Sequence, residues 1–266
     1  NKSAICRLTS GKDYLNPNIE LIVDDILEQN QKQKLIDFID KWIKNKINTI
    51  LKSLIDLKNI KDKNSNIKAL AYQLYENNGV LKRDQVSEYL KNLEQRDRKI
   101  LRDLGVKFGR YHVFLYQLIK PDAVLLRTLL WKNHHQKYFN LNPPTFGLNF
   151  VNNDKYKNSD FMLLCGFERF DKFFVRIDIL ERLFIQIMNS NNQGQKPIKL
   201  TAEMLNLLGC NKENFKKLIK SMNYRVSENN DEIFFKYQPI RISKKSFEKR
   251  NKKETPFNIL KKLNFN

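Results

Sequence analysis

The sequence lacks the residues and runs that mark several large protein classes. Only three of its 266 residues are cysteine, Cys6, Cys165 and Cys210, and no two of them form a Cys-x-x-Cys pair. This supports neither a zinc site nor a disulfide scaffold, and it favours a reducing compartment, the cytoplasm. The adjacent His134 and His135 cannot share a helix face as metal ligands do. Because no run of about 18 apolar residues is present, the sequence predicts no membrane span.

The phosphate-binding loop of nucleotide hydrolases, G-x-x-x-x-G-K-[ST], is also missing. At the nearest match, Gly11-Lys12, Asp13 follows the lysine and Cys6 stands where the first glycine belongs. The acidic pair Asp231-Glu232 falls in a predicted turn and has no such loop to serve. We therefore predict no catalytic residue, metal or cofactor in this chain. Whether the chain belongs to an enzyme stays open at this stage.

Positive charge is what the chain has in excess. It contains 49 Lys and Arg against 29 Asp and Glu, a net charge of +20. This favours an anionic partner, usually nucleic acid, although lysine drift in an AT-rich genome would also raise it. From Lys236 to Asn266, ten Lys or Arg stand against two Glu. We expect this tail to add non-specific affinity for nucleic acid through six cations: Lys244, Lys245, Lys249, Arg250, Lys252 and Lys253.

Hydrophobic periodicity predicts a mainly helical first part, residues 1–131. The longest helix is predicted from Lys32 to Lys58, with Trp42 in its core-facing stripe rather than as a base-stacking platform. Alternation from Val113 to Leu118 predicts a buried strand. This part is interpreted as a helical bundle around one strand. Residues 132–158, rich in proline and asparagine, are predicted to be a linker.

Residues 159–238 predict a smaller α+β domain. The segments FMLLCGF and FFVRI are predicted as two strands that turn at Phe170–Lys172. Asp178 and Glu181 are predicted as the capping box of the next helix. Two further helices and a strand pair give the element order of a winged helix. The predicted fold class is mainly α with small β elements: a helical bundle, a winged-helix-like domain, and a basic tail over residues 239–266.

Two groups of cations within the predicted domains are candidate nucleic-acid contacts. On the helix predicted from Lys212 to Met222, an apolar stripe leaves a row of lysines to pair with phosphates: Lys212, Lys216, Lys217 and Lys220. The second group lies nearer the middle of the chain: Lys107, Arg110 and Arg127. Both groups have a plainer interpretation. The row would be a solvated face, and the second group would form ion pairs with Asp103 or Asp122.

The sequence around the second group resembles a known family. Residues 101–131, LRDLGVKFGRYHVFLYQLIKPDAVLLRTLLW, are similar to the C-terminal region of bacterial superfamily-two helicases related to the RNA helicase of the mitochondrial degradosome. The matching positions are Arg102, Leu104, Gly105, Val106, Phe108, Gly109, Val113, Phe114, Leu115, Lys120, Pro121, Arg127, Leu129, Leu130 and Trp131. Tyr116 stands where the family usually has proline. The segment NIKALAYQLYENNGVL and parts of the terminal domain also resemble the family.

The resemblance implies an accessory region of an ATP-dependent RNA or DNA helicase. Motor domains on its N-terminal side, in the same protein, would then supply the ATP and Mg²⁺ chemistry. The chain starts with Asn1 instead of methionine, as we expect of a fragment. On this interpretation the region guides a single strand through backbone contacts. Two alternatives are a free-standing winged-helix protein that binds duplex DNA, and a protein-interaction scaffold whose tail is merely solvated.

Overall fold

The computed structural model describes residues 4–22, 28–60, 65–152, 154, 156–190, 197–229 and 232–238. The α-helices in this part are α1 (Gln29–Ile50), α2 (Lys52–Lys58), α3 (Ser65–Glu76), α4 (Ser87–Lys91), α5 (Gln95–Asp103), α6 (Pro121–His134), α7 (Ser159–Leu164), α8 (Ile177–Ser190), α9 (Ala202–Leu208) and α10 (Lys212–Ser221). None of these helices is long and apolar enough to cross a lipid bilayer.

The strands in the described part of the chain are short and pair antiparallel. They are β1 (Cys6–Thr9), β2 (Asn18–Leu21), β3 (Val80–Lys82), β4 (Val106–Phe108), β5 (His112–Leu115), β6 (Phe150–Asn152), β7 (Phe167–Phe170), β8 (Phe173–Arg176), β9 (Ile198–Lys199), β10 (Tyr224–Asn229) and β11 (Glu232–Tyr237). They form four small sheets, ordered β1-β2, β3-β5-β4, β6-β8-β7 and β10-β11-β9. The predicted class, mainly α with small β elements, is confirmed at this level.

The described residues divide into two compact units. One lies within Asn1–Asn192 and Thr201–Asn211, and the other lies within Gln193–Leu200 and Lys212–Asn266. The basic tail predicted from residue 239 lies outside the described residues.

The core of the first unit forms around α1, α2 and α3. Ile43 and Ile47 of α1 are buried, and Leu51, where α1 gives way to α2, has no exposed surface. The predicted long helix is therefore present as two helices. The prediction for Trp42 was wrong, because its side chain is 56% exposed. Apolar residues that recur every three or four positions form a broad stripe along α1. The side of this stripe that carries Ile43 packs against the core, and the side that carries Trp42 does not.

The sheet β3-β5-β4 packs into the same core. Its central strand β5 is buried along its whole length. It pairs with β3 on one side and β4 on the other, with Leu81 and Phe108 both opposite Val113. The predicted strand over residues 113–118 was too long, because a 3-10 helix covers Tyr116–Ile119. The bundle thus surrounds a three-stranded sheet rather than one strand.

A helix precedes strand β7 of the sheet β6-β8-β7, where the sequence predicted a strand. Residues Ser159–Leu164 form α7, because the Asn158 side chain accepts a hydrogen bond from the backbone N–H of Phe161 and caps the helix. The predicted hairpin turn is confirmed, with Phe170 paired to Phe173. Strand β6, on the other side of β8, comes from the segment predicted as a linker.

The second unit joins α10 to the sheet β10-β11-β9. The apolar stripe predicted on α10 is confirmed, because Phe215, Leu218 and Ile219 have no exposed surface. Phe215 packs against Phe235 of β11 with ring centroids 5.6 Å apart. The predicted terminal strand pair is also confirmed, as β10 and β11.

Candidate nucleic-acid interface

The Glu181 carboxylate holds the loop between β4 and β5 by accepting hydrogen bonds from its backbone. Its Oε1 accepts hydrogen bonds from the backbone N–H groups of Tyr111 and His112, each at 2.9 Å, and its Oε2 accepts one from Arg110. A side chain at Gly109 would collide with this carboxylate, since a Cβ there would stand 2.3 Å from Glu181 Cδ. The predicted capping box was therefore wrong: Glu181 holds a distant loop, and Asp178 pairs with Arg176.

A buried charge network lies beside this loop. His112 Nε2 lies 3.0 Å from Glu168 Oε2, and its Nδ1 lies 3.5 Å from Glu181 Oε1. Lys82 Nζ contacts the other oxygen of Glu168 at 2.7 Å. Burial would lower the pKa of His112, but the hydrogen bond to Glu168 and the negative charges of Glu168 and Glu181 outweigh burial and raise this pKa. Burial likewise opposes ionisation of Glu168, yet His112 and Lys82 hold its pKa below the ordinary value.

The loop and α8 border an open groove of about 750 Å³. Its charged rim consists of Arg83, Arg102, Lys107, Arg110 and Arg182. All of these except the partly buried Arg83 are exposed. Arg83 is held in place by a 2.8 Å hydrogen bond to the carbonyl oxygen of Gly109. The acidic residues of the groove, Asp178 and Glu181, are only 5% and 8% exposed, so the exposed charges of the groove are positive.

Two aromatic rings of the groove, Phe108 and Phe184, lie close to arginine side chains. The guanidinium groups of Arg98 and Arg102 lie 5.8 and 5.7 Å from the ring centre of Phe108. The guanidinium of Arg110 lies 5.7 Å from the ring centre of Phe184. Cations this close to a ring face are attracted to it, and surfaces that combine cations with aromatic rings accept both phosphates and base faces.

The structure brings together two of the three residues predicted around the β4–β5 loop. Lys107 and Arg110 line the groove. Arg127 does not, because it is completely buried and donates hydrogen bonds to three backbone carbonyls, those of Asn78, Leu118 and Leu164. Burial lowers its pKa to about 10. A side chain without exposed surface cannot contact a ligand on the surface, so the assignment of Arg127 to this site was wrong.

The lysine row on α10 is present but not uniform. Lys212, Lys217 and Lys220 are exposed. Lys216 is only 16% exposed and pairs with Glu213 at 2.5 Å and with Glu228 at 2.8 Å. The row therefore offers three accessible cations and one that is already neutralised. The predicted tail contacts lie outside the described residues: Lys244, Lys245, Lys249, Arg250, Lys252 and Lys253.

Sequence reasoning missed most of the groove. Arg83, Arg102 and Arg182 belong to different elements, and no spacing rule joins them. One local signal was available: Gly109 and Arg110 stand in a loop flanked by aromatic residues and cations. Within the residues that the structure describes, no group of three His, Cys, Asp or Glu side chains is placed to hold a metal ion.

Comparison with known proteins adds nothing to this geometry. No protein-family model matches the chain, no curated protein is similar to it, and no solved structure matches its fold.

Proposed function

We propose that this chain binds nucleic acid by its phosphate backbone, along the groove between the β4–β5 loop and α8. The observation that carries the proposal is the convergence of five cations on one open surface: Arg83, Arg102, Lys107, Arg110 and Arg182. Since phosphate contacts supply most of the non-specific affinity of nucleic-acid-binding proteins, a cluster of this kind suits a sequence-independent role. The net charge of +20 is consistent with it.

A single strand suits the groove better than a duplex. Phe108 and Phe184 line the groove beside arginine side chains, and base faces are available for stacking only where they are unpaired. The backbone of the β4–β5 loop is also held by Glu181, so the loop itself needs little ordering when a strand binds.

An accessory role beside a helicase motor belongs to the same proposal. It rests on the resemblance of residues 101–131 to helicase C-terminal regions, and the motor domains would supply ATP hydrolysis. Several of the residues that carry the resemblance build the groove, among them Arg102, Phe108 and Gly109. RNA and DNA both present the phosphates that this surface would bind.

A second candidate function is duplex binding by a winged helix. The observation that favours it is the order α8, β9, α9, α10, β10, β11, with β11 between β10 and β9 in its sheet. This is the element order of winged-helix proteins. In that case α10 would be the helix that meets DNA, with Lys212, Lys217 and Lys220 on its exposed surface.

The groove proposal is tested by reversing two exposed charges, Lys107→Glu and Arg182→Glu, in one protein. Fluorescence anisotropy would measure binding of labelled single-stranded RNA and of duplex DNA at several salt concentrations. Each lost phosphate contact lowers the slope of log affinity against log salt by roughly 0.7–0.9. We expect weaker binding and a shallower slope, with the larger effect on the single strand.

The matched control reverses two exposed lysines outside the groove, Lys68→Glu and Lys172→Glu. It makes the same change in net charge, so it separates a local contact from the general field of the protein. Equal losses in the two double variants, or an unchanged slope in the groove variant, would refute the groove as the binding site.

A further inference from the structure

Helix α1 presents two large aromatic side chains to solvent. Phe38 is 68% exposed and Trp42 is 56% exposed. They stand four residues apart, so they are neighbours on the helix surface, about 5–6 Å apart at their Cβ atoms. The packing of α1 does not depend on them, because Ile43 and Ile47 make its buried contacts with the core.

Exposed lysines stand on both sides of the aromatic pair. Lys34 precedes Phe38 by four residues, and Lys46 follows Trp42 by four. Lys41 lies between them. The row from Lys34 to Lys46 covers 12 residue steps, or about 18 Å of helix at 1.5 Å per residue. Cation, ring, ring and cation therefore follow one another along one side of α1.

The acidic residues of α1 have partners on the helix itself. Asp37 accepts a hydrogen bond from Gln33 at 2.8 Å. Asp40 pairs with Lys44 at 2.6 Å. Lys44 offsets the charge of Asp40, whereas Gln33 is neutral and leaves the charge of Asp37 in place. Lys34, Lys41 and Lys46 outnumber that one carboxylate, so the charge beside the aromatic pair is net positive.

We propose that Phe38 and Trp42 form a base-stacking platform for single-stranded nucleic acid, with Lys34, Lys41 and Lys46 contacting its phosphates. A ligand for this surface must offer flat apolar rings and negative charge in alternation, and a single strand does so. A duplex hides its base faces. This inference rests on the ligand class of the proposed function but not on the groove, and it adds a second, separate contact.

Trp42 reports its own occupancy through its fluorescence. The chain has two tryptophans, and the other, Trp131, is 9% exposed and stacked on Tyr138. A 12-nucleotide oligothymidylate, added until fluorescence anisotropy shows saturation, should quench the emission of the wild-type protein. The Trp42→Phe variant, which retains only Trp131, should show no quenching. An abasic strand of the same length should not quench the wild type either, since it offers phosphates without bases.

Affinity provides the second measurement. Each stacked base contributes about 1–3 kcal/mol, so Phe38→Ala and Trp42→Ala should each weaken oligothymidylate binding by about five-fold to about 150-fold. Tyr72→Ala is the matched control, because Tyr72 is an aromatic residue of α3 that is 60% exposed. It should leave affinity unchanged. Thermal unfolding should be nearly the same for all three variants.

The outcomes separate the platform from the groove. Unchanged Trp42 emission at saturation would overturn the platform and leave the aromatic pair to a protein partner, while groove-dependent binding would stand. Quenching that persists in the variant with Lys107→Glu and Arg182→Glu would support the platform without the groove. Equal affinity for the abasic strand and for oligothymidylate would also overturn the platform. If neither emission nor anisotropy responds to any strand, both proposals fail.

Discussion

The imidazole of His112 and the carboxylate of Glu168 form a buried pair, with Nε2 and Oε2 3.0 Å apart and side chains 3% and 11% exposed. His112 belongs to β5 and Glu168 to β7, so the pair links two different sheets of the first unit. Glu181 from α8 and Lys82 from β3 complete the network. Because His112 and Glu168 are shielded from water and have charged partners, their protonation is coupled to folding.

Stability should fall as pH rises above neutrality. The pKa of folded His112 lies above its ordinary value of 6.5, so the folded protein binds this proton more tightly than the unfolded chain does. Its contribution is complete below about pH 6.5 and is lost as pH rises through the folded pKa. Thermal unfolding at a series of pH values measures this decline.

Glu168 makes stability depend on pH in the acid range. Its folded pKa is lowered from 4.5, so its contribution is present above that value and is lost as pH falls through the folded pKa. The His112→Gln variant should lose the alkaline decline. The His134→Gln variant should keep it, because His134 Nδ1 lies 3.2 Å from a neutral group, Ser10 Oγ. A wild-type stability that is flat above pH 6.5 would contradict the assignment.

Replacing Glu181 with alanine should destabilise the protein by about 2–4 kcal/mol, because three backbone donors of the β4–β5 loop lose their acceptor. Gly109→Ala should also destabilise, since its Cβ would overlap the Glu181 carboxylate. In the double variant that overlap no longer exists, so the combined loss in unfolding free energy should be smaller than the sum. Urea denaturation of all four proteins measures this coupling. Additivity within about 0.5 kcal/mol would show that the two residues act independently.

The role of Glu181 also shows where sequence reasoning stops. Asp178 and Glu181 have the spacing of a capping box, and a local rule assigns them to the start of α8. The structure instead uses both for contacts outside that motif, and the partners of Glu181 lie about 70 residues earlier in the chain. A rule based on local spacing cannot detect contacts between residues so far apart in the chain. It succeeded where the partners are local, as in the stripe of Phe215, Leu218 and Ile219 on α10.

Trp42 illustrates a different limit. Its position satisfies the helical period of the α1 stripe, and so does that of Ile43, yet only Ile43 is buried. The apolar stripe of α1 is wider than the part of the helix that packs against the core. The sequence pattern therefore does not show which residues at its edges stay exposed. Arg127 failed for the opposite reason, because charged side chains are rarely buried completely. The N–H groups of its two terminal nitrogens make that burial possible, because they donate to carbonyls of three separate segments.

Arg127→Met should therefore destabilise the protein by at least about 3 kcal/mol, because three backbone carbonyls lose their donor, two of them in buried hydrogen bonds. Arg127→Lys should recover only part of this loss, since a single ammonium cannot reach all three acceptors as a planar fork does. Arg182→Met, on the exposed face of α8, is the control and should change stability by no more than about 0.5 kcal/mol. Urea unfolding distinguishes these cases. A mild effect of Arg127→Met would contradict a structural role.

The α10 lysines provide the last prediction. Changing Lys212, Lys217 and Lys220 to glutamate should leave the fold nearly unchanged, within about 0.5 kcal/mol per substitution, because the buried stripe of α10 does not include them. Lys216→Glu should instead lower the unfolding temperature, since it sets a third carboxylate against Glu213 and Glu228. If α10 contacts phosphates, the triple variant should bind single-stranded RNA and two duplex DNAs of different sequence more weakly by similar factors, as phosphate contacts carry no base information.

Fluorescence anisotropy at fixed salt measures all three ligands. A loss confined to one duplex would favour the winged-helix candidate, because only contacts to base edges discriminate between sequences. Unchanged affinity for every ligand, in a protein that still unfolds at the wild-type temperature, would show that the row is a solvated face. Lys216 lies outside this test, because its ion pairs with Glu213 and Glu228 already explain its position in the row. The result therefore decides the role of the three exposed lysines.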